Sequence, residues 1–250
     1  MVDISCRDRI FTNIEAIVFD KDGTLADVES YLKSLGQKRS RLVDAQAPGV
    51  QEPLLLAFGI EETGLNSQGL LAVGSRHDNQ IAAAAYVAET GRHWLEALNI
   101  VESAFNEADS YLQNKVKHTP PFPGTLEVIK QFHAAGLKLG ILSADSSDQI
   151  QAFIETNDLQ TYIPAFVSAV GSRSKPHPSS FLDICRQLNT QPNQTLMVGD
   201  AFIDMAMAKA AGAAGSIFAT WGWQTRLSAT AIADSTIERI DHWQQLSLLT

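Results

Sequence analysis

Two patterns alternate along the chain. Short, nearly unbroken apolar runs occupy residues 14–19, 137–142, 165–168, 196–198 and 216–219. Between them, apolar residues return every three or four positions. Leu126, Ile129 and Phe132 follow Gly124; Ile150, Phe153 and Ile154 follow Gln149; Phe181, Ile184 and Leu188 follow Pro178. A fourth such stretch, rich in alanine and methionine, covers residues 202–211. Unbroken apolar runs predict strands covered on both faces, as in a parallel sheet, and the three-to-four spacing predicts amphipathic helices. Strands alternating with helices predict an α/β fold with a parallel, doubly wound sheet.

One stretch breaks the alternation. Residues 27–117 show no clear strand but four helical runs, at 31–43, 53–58, 80–89 and 94–112. In the last, Leu95, Leu98, Val101, Phe105 and Ala108 share one side. The pattern predicts an all-helical domain over 27–117, inserted into a core made of 1–26 and 118–250. Prolines in Thr119-Pro120-Pro121-Phe122-Pro123-Gly124 stop the last helix and stiffen the return. The insert leaves the core just after the first strand, at the carboxyl edge where open α/β sheets bind ligands. A cap over that edge is therefore expected, in preference to a second packing layer.

The same edge collects the polar residues that interrupt the apolar runs. Asp20 and Asp22 follow the first strand and precede Gly23. Alone, Asp-x-Asp-Gly is a common turn or the start of a calcium loop, but Thr24-Leu25-Ala26 does not supply the further oxygen ligands a calcium loop needs. Asp200 ends the strand Leu196-Met197-Val198-Gly199, and Asp204 follows four residues later, where it can also cap a helix. Two carboxylate clusters brought together on one sheet repel unless a cation lies between them, and hard oxygen ligands suit magnesium. Ser143 ends another strand and precedes Ala144-Asp145-Ser146-Ser147. It is either a hydroxyl beside a helix N-terminus that binds phosphate, or a turn residue next to a helix cap. Lys175, a solvated charge if taken alone, becomes a fixed cation once several carboxylates and a phosphate face it.

Charge and cysteine content narrow the picture. A formal charge of -9, from 28 acidic and 19 basic residues, argues against a nucleic-acid partner, which needs a basic face. Small anionic substrates stay open, because a few local cations outweigh a diffuse field. Cys6 and Cys185 are two distant thiols, too few for a disulfide framework or a metal cluster, which points to a reducing, cytoplasmic setting. The polar start of the chain (Asp3, Arg7, Asp8, Arg9) is not that of a signal peptide, and no apolar run is long enough for a membrane span. The oligomeric expectation is a monomer or homodimer.

In order, Asp20-Lys21-Asp22-Gly23-Thr24-Leu25, Leu142-Ser143, Lys175-Pro176 and Gly199-Asp200 through Asp204 resemble the signature of the haloacid dehalogenase superfamily of phosphohydrolases. The insert looks like that family's first type of cap. Pro121-Phe122-Pro123-Gly124 and Gly199-Asp200 resemble its phosphoglycolate phosphatase group. The resemblance implies a Rossmann-like core and a magnesium-dependent phosphatase acting on a small phosphorylated metabolite. Asp20 is then the nucleophile that forms an aspartyl-phosphate, and Asp22 the general acid and base. Mg2+ is held by Asp20, the Asp22 backbone carbonyl and Asp200, with Asp204 assisting directly or through water, and the phosphate lies against Gly23, Thr24, Ser143, Ala144 and Lys175. Asp22 favours phosphoryl transfer over dehalogenation, because halide leaves without a proton. A β-phosphoglucomutase-like phosphomutase is the alternative. A silent binding module of the same fold is another, although its usual mark, loss of a nucleophile or metal carboxylate, is missing. Lys21 departs from the group, where an apolar residue is usual. On a strand-like path its side chain points away from both aspartates. Arg39, Arg41, Arg76, His77 and Arg92 are cap cations that either select a substrate anion or lie on the surface.

Overall fold

The computed structural model describes residues 1–112, 114–224 and 237–249. In chain order its regular elements begin with β1 (Val2–Cys6), β2 (Arg9–Ile14) and β3 (Ala16–Phe19). Five helices follow: α1 (Glu29–Asp44), α2 (Gln51–Phe58), α3 (Leu70–Val73), α4 (Arg76–Glu89) and α5 (Trp94–Tyr111). The chain then alternates through α6 (Thr125–Ala134), β4 (Lys138–Ser143), α7 (Ser147–Thr156), β5 (Ala165–Ser168) and α8 (Ser179–Gln187). It closes with β6 (Thr195–Gly199), α9 (Phe202–Ala211), β7 (Gly215–Ala219), β8 (Ile237–Ile240) and β9 (Leu246–Leu249).

The α/β expectation holds. Six strands form a parallel sheet in the order β5-β4-β3-β6-β7-β8. β3 lies between β4 and β6, so the chain crosses over at this point and the strand order reverses around it, which is where such sheets open a crevice. Ile17, Val18 and Phe19 are fully buried, as an unbroken apolar strand requires when helices cover both faces. Successive side chains point to opposite faces. Val18 joins Leu142, Met197, Phe181, Ile184 and Met207 in one core cluster, while the Phe19 ring meets the edge of Trp243 at 5.9 Å.

Two features differ from the sequence pattern. Ile14 does not open the first core strand: it ends β2 and pairs with Val2, and the core strand starts at Ala16. Strands β2, β1 and β9 form a separate antiparallel sheet that the apolar runs did not announce. Its strands are only partly buried, with only Phe11 and Ile14 buried on β2 and Ile4 and Cys6 on β1, so they lack the unbroken apolar signal of the core. β8 was missed for the same reason: Glu238 and Arg239 interrupt it.

By its internal packing the chain divides into two compact units. The first comprises Met1–Asp27, Thr119–Gly222 and residues 237–249, and holds both sheets. The second comprises Val28–His118 with residues 223 and 224, and contains α1 to α5. On α5 the buried stripe is Ala97, Val101, Ala104, Phe105 and Ala108; Leu95, expected on that side, is 70% exposed. Small alanines fill the seam because α4 packs alongside, presenting its own buried Ala83 and Ala84.

The antiparallel sheet is tied to the core at Gly215, the first residue of β7. A Cβ there would lie 2.3 Å from Cε1 of the buried Phe11 ring. Overpacking of this kind costs roughly 1–3 kcal/mol. Gly215→Ala is therefore expected to lower the free energy of unfolding by that amount, read as a lower urea midpoint with an unchanged slope. An unchanged midpoint would mean that Phe11 is not seated against β7.

Candidate active site

The register of the parallel sheet decides which residues meet. Phe19 stands opposite Ile141 of β4 and Val198 of β6. The residues just past these pairs are Asp20 on one strand, Leu142-Ser143 on the second and Gly199-Asp200 on the third. The Asp20 amide donates to the Val198 carbonyl at 2.8 Å and continues the ladder by one bond before the chain turns away. Three separate sequence segments thus end at one edge.

Asp20, Asp200 and Asp204 each present a carboxylate oxygen within 4.8 Å of the other two, and all three residues are buried. Among the predicted metal-binding residues, Asp22 keeps its carboxylate outside this trio. Lys175 fills the space beside the trio. Its ammonium lies 2.5 Å from Asp20 Oδ1 and 2.7 Å from Asp204 Oδ1, with only 5% of the side chain exposed. Burial works against the ammonium, but the two carboxylates outweigh it and hold its pKa above the usual lysine range. Burial pushes the Asp20 carboxyl up to about 6; Lys175 opposes this, and Asp204 and Asp22 add to it. An anion that is both buried and crowded by other anions is held as carboxylate chiefly by its cation.

Asp204 serves twice. Its Oδ2 accepts from the Ala201 amide at 3.3 Å, capping α9, while Oδ1 faces Lys175. Helix capping and site chemistry were competing explanations of this aspartate; the structure realises both contacts. Gly199 makes room for it, since a Cβ there would stand 2.5 Å from Asp204 Oδ2.

The predicted phosphate-binding residues lie around this group with part of their capacity already used. The Gly23 amide donates to Ala26 O at 2.9 Å. The Thr24 hydroxyl donates to Asp200 Oδ1 at 2.8 Å and so orients a carboxylate. Ser143 Oγ accepts from the Asp145 amide at 3.2 Å, and Ala144 lies between them in the same turn. Ser146 caps α7 through the Gln149 amide. The loop after β3 is fastened from a fourth direction by the segment after β7. Trp221 Nε1 donates to Thr24 O at 3.0 Å, and Gly222 packs so closely that a Cβ would be 2.2 Å from the Gly23 carbonyl oxygen.

One expectation is overturned. Lys21 does not point away from Asp22. The loop is not strand-like here: the Lys21 carbonyl accepts from Leu25 and Ala26, both at 2.9 Å, and this curls the chain. The Lys21 side chain is buried, ion-paired with Asp22 and, at 2.9 Å, with Asp145, and lies over the Phe153 ring. Asp145 was not singled out in the sequence; the available signal was the unusual lysine between two aspartates, which needs a further acid if it is buried. Of the candidate cap cations, Arg39 and Arg76 both pair with Asp109, and Arg92 pairs with Glu96. These pairs account for three of the five within the helical unit itself.

A parallel α/β sheet that gathers buried carboxylates and two buried ammonium groups at its carboxyl edge has the architecture of an α/β enzyme that binds its ligand there. The family model of haloacid dehalogenase-like hydrolases matches residues 14–212. The chain therefore belongs to the haloacid dehalogenase-like hydrolases. It is 27% identical to a phosphoglycolate phosphatase of Vibrio vulnificus over 91% of this chain and 95% of that one. It is 25% identical to a phosphoglycolate phosphatase of Salmonella typhimurium over 84% of this chain and 83% of that one. In fold it resembles the crystal structure of a predicted phosphoglycolate phosphatase from Haemophilus somnus, with a TM-score of 0.66 at 17% identity, covering 91% and 94% of the two chains.

The buried charge arrangement gives a direct test of stability. Lys175→Met removes the cation from between two buried carboxylates, and leaving such charges uncompensated costs about 3–5 kcal/mol. In chelator, denaturant unfolding is expected to show a loss of that order. A loss below about 1 kcal/mol would mean that Lys175 does not compensate the cluster.

Proposed function

We propose that the chain is a magnesium-dependent phosphatase that hydrolyses a small phosphorylated metabolite through an aspartyl-phosphate on Asp20, with 2-phosphoglycolate as the first substrate to test. The observation that carries this reading is the meeting of Asp20, Asp200 and Asp204 with Lys175 at the end of β3. The relatives named phosphoglycolate phosphatase support the substrate class.

The donor set fits a hard divalent cation. Three buried carboxylates facing one ammonium leave an excess of negative charge that a metal ion offsets, and all the ligands are oxygens. Asp20, Asp200 and Asp204 are the side chains that would hold it. When bound, magnesium supplies positive charge that lets an anionic nucleophile approach an anionic phosphate.

In the proposed reaction an Asp20 carboxylate oxygen bonds to phosphorus as the phosphorus–ester oxygen bond breaks. Asp22 gives its proton to the departing alkoxide, then takes one from the water that attacks the aspartyl-phosphate. That second attack breaks the bond between Asp20 and phosphorus, releases inorganic phosphate and regenerates both carboxyls. Lys175 keeps Asp20 in its nucleophilic, ionised form and adds positive charge where the phosphate sits. Thr24 keeps Asp200 turned toward the cluster. No observation favours the phosphomutase reading. The compartment we propose is the cytoplasm, in keeping with two buried, unpaired thiols and no described helix long and apolar enough to cross a membrane.

Asp20→Asn is expected to lower phosphate release by about 10³-fold or more while the circular dichroism spectrum and melting temperature persist. Substantial remaining turnover would exclude Asp20 as the nucleophile. Thr24→Val addresses the metal separately. Loss of a group that orients a metal ligand typically costs about 10–100-fold in affinity. The magnesium concentration for half-maximal activity should therefore rise by that factor, with kcat at saturating magnesium close to the parent value. A screen of phosphorylated metabolites tests the substrate. Release peaking on 2-phosphoglycolate supports the narrow reading, and a flat profile removes it.

A further inference from the structure

We infer that Lys21 is a positioning residue for the acid–base step: with Asp145 it forms a buried clamp that fixes the carboxyl of Asp22 by one oxygen. The inference rests on the phosphatase reading and extends it to two residues that the reading does not use.

Stability alone does not explain this lysine. Its side chain is only 2% exposed, with its ammonium directed between Asp22 Oδ1 and Asp145 Oδ2. Taking an ammonium out of water costs several kcal/mol, and a well-packed apolar side chain in place of a buried ion pair is often as stable or more so. The surroundings suit such a replacement, because the lysine lies over the buried Phe153 ring. What the ammonium adds is direction. A carboxyl on a loop rotates freely about its last torsion, and its two oxygens exchange. With Oδ1 held by Lys21, rotation of the carboxyl is restricted and Oδ2 is favoured as the oxygen that exchanges the proton.

The second carboxylate completes the device. Asp145 lies in the turn after β4, where its amide donates to Ser143 Oγ and its carbonyl accepts from Ser168 Oγ at 2.5 Å. The ammonium is therefore anchored to a different strand from the one that carries Asp22. Asp145 also balances its charge, so that Asp22 is held without facing an uncompensated cation. Lys21 thus links the loop after β3 to the loop after β4, and its backbone carbonyl closes the turn that carries Asp22.

Positioning of the acid predicts a dependence on the leaving group that a purely structural ion pair does not. p-Nitrophenolate departs readily without a proton; benzyl alkoxide does not. The experiment compares kcat/KM of the full chain with magnesium on p-nitrophenyl, phenyl and benzyl phosphates, for the parent, Asp22→Asn, Lys21→Met and Asp145→Asn. General acids contribute about 10²–10⁴-fold, so Asp22→Asn should lose that on benzyl phosphate and far less on p-nitrophenyl phosphate. Lys21→Met is expected to show the same split in reduced form: about 10-fold or more on benzyl phosphate, and within about 3-fold on p-nitrophenyl phosphate, in line with the cost of small misplacement. Asp22 and Asp145 retain 22% and 19% side-chain exposure, so water can solvate both once the lysine is gone. If Lys21→Met still fails to fold, Asp145→Asn keeps the Lys21–Asp22 pair and should show the same split at about 3-fold, as judged against the same misplacement effect. Equal losses on all three esters, or none, in the folded variants overturn the inference while leaving the phosphatase reading intact if Asp22→Asn shows its split. A parent inactive on all three esters, and on the metabolite panel, removes both.

Discussion

Several carboxylates cannot share a dry volume unless cations hold them there. That constraint organises the first unit from the sheet outward. Parallel pairing of β3 with β4 and β6 brings three strand ends to one place: Asp20 follows β3, Asp200 and Asp204 follow β6, and Ser143 ends β4. At close range like charges cost more the less water is present. The edge is therefore stable only with an ammonium beside the aspartates and, in the proposed reaction, a divalent ion. Lys175 comes from the segment after β5, far along the chain but adjacent in space, and each of its two contacts is to a different acid. In the proposed reaction the nucleophile's reactivity, the placing of the metal and the stability of the edge are then one electrostatic problem.

Much of this was legible in the sequence because the signal and its cause are both local. Unbroken apolar runs marked the core strands, since a strand covered on both faces has no polar positions to spare. Asp20, Asp200 and Asp204 stood out as acids directly after or close to such runs. What could not be read depends on partners remote in sequence. The antiparallel sheet of β1, β2 and β9 joins the two ends of the described chain, and each strand alone shows only a weak alternation. Thr24 was assigned to phosphate from its place in a motif, yet its hydroxyl lies on Asp200, 176 positions away. Lys21 was misjudged because a strand-like path was assumed where the backbone curls back on the lysine's own carbonyl.

The two lysines of the site repeat one arrangement. Each ammonium is buried between two carboxylates from different segments: Lys175 between Asp20 and Asp204, Lys21 between Asp22 and Asp145. Both bridge strand ends that the sheet alone leaves only loosely related beyond the last ladder bond. Each also attaches to one of the two aspartates of the first loop, so each group that exchanges bonds or protons in the proposed reaction is held by its own lysine. Preorganised charges in a water-poor site need no rearrangement as the reaction proceeds, and this is the larger part of electrostatic catalysis.

The floor of the site is thus rigid and largely committed. The Gly23 amide, the Thr24 hydroxyl and the Thr24 carbonyl each have a protein partner, and Gly222 is wedged against the loop from behind. A floor built this way recognises what is common to all phosphomonoesters, because its geometry is fixed by the acids and lysines and not by the rest of the substrate. Discrimination between esters requires groups whose hydrogen-bonding capacity is not already taken. In the helical unit, Arg39 and Arg76 are drawn into pairs with Asp109 and Arg92 into one with Glu96. Those ion pairs stabilise that unit's own packing, notably Arg39 buried over Phe105. Each of these arginines therefore already has a carboxylate partner inside its own unit.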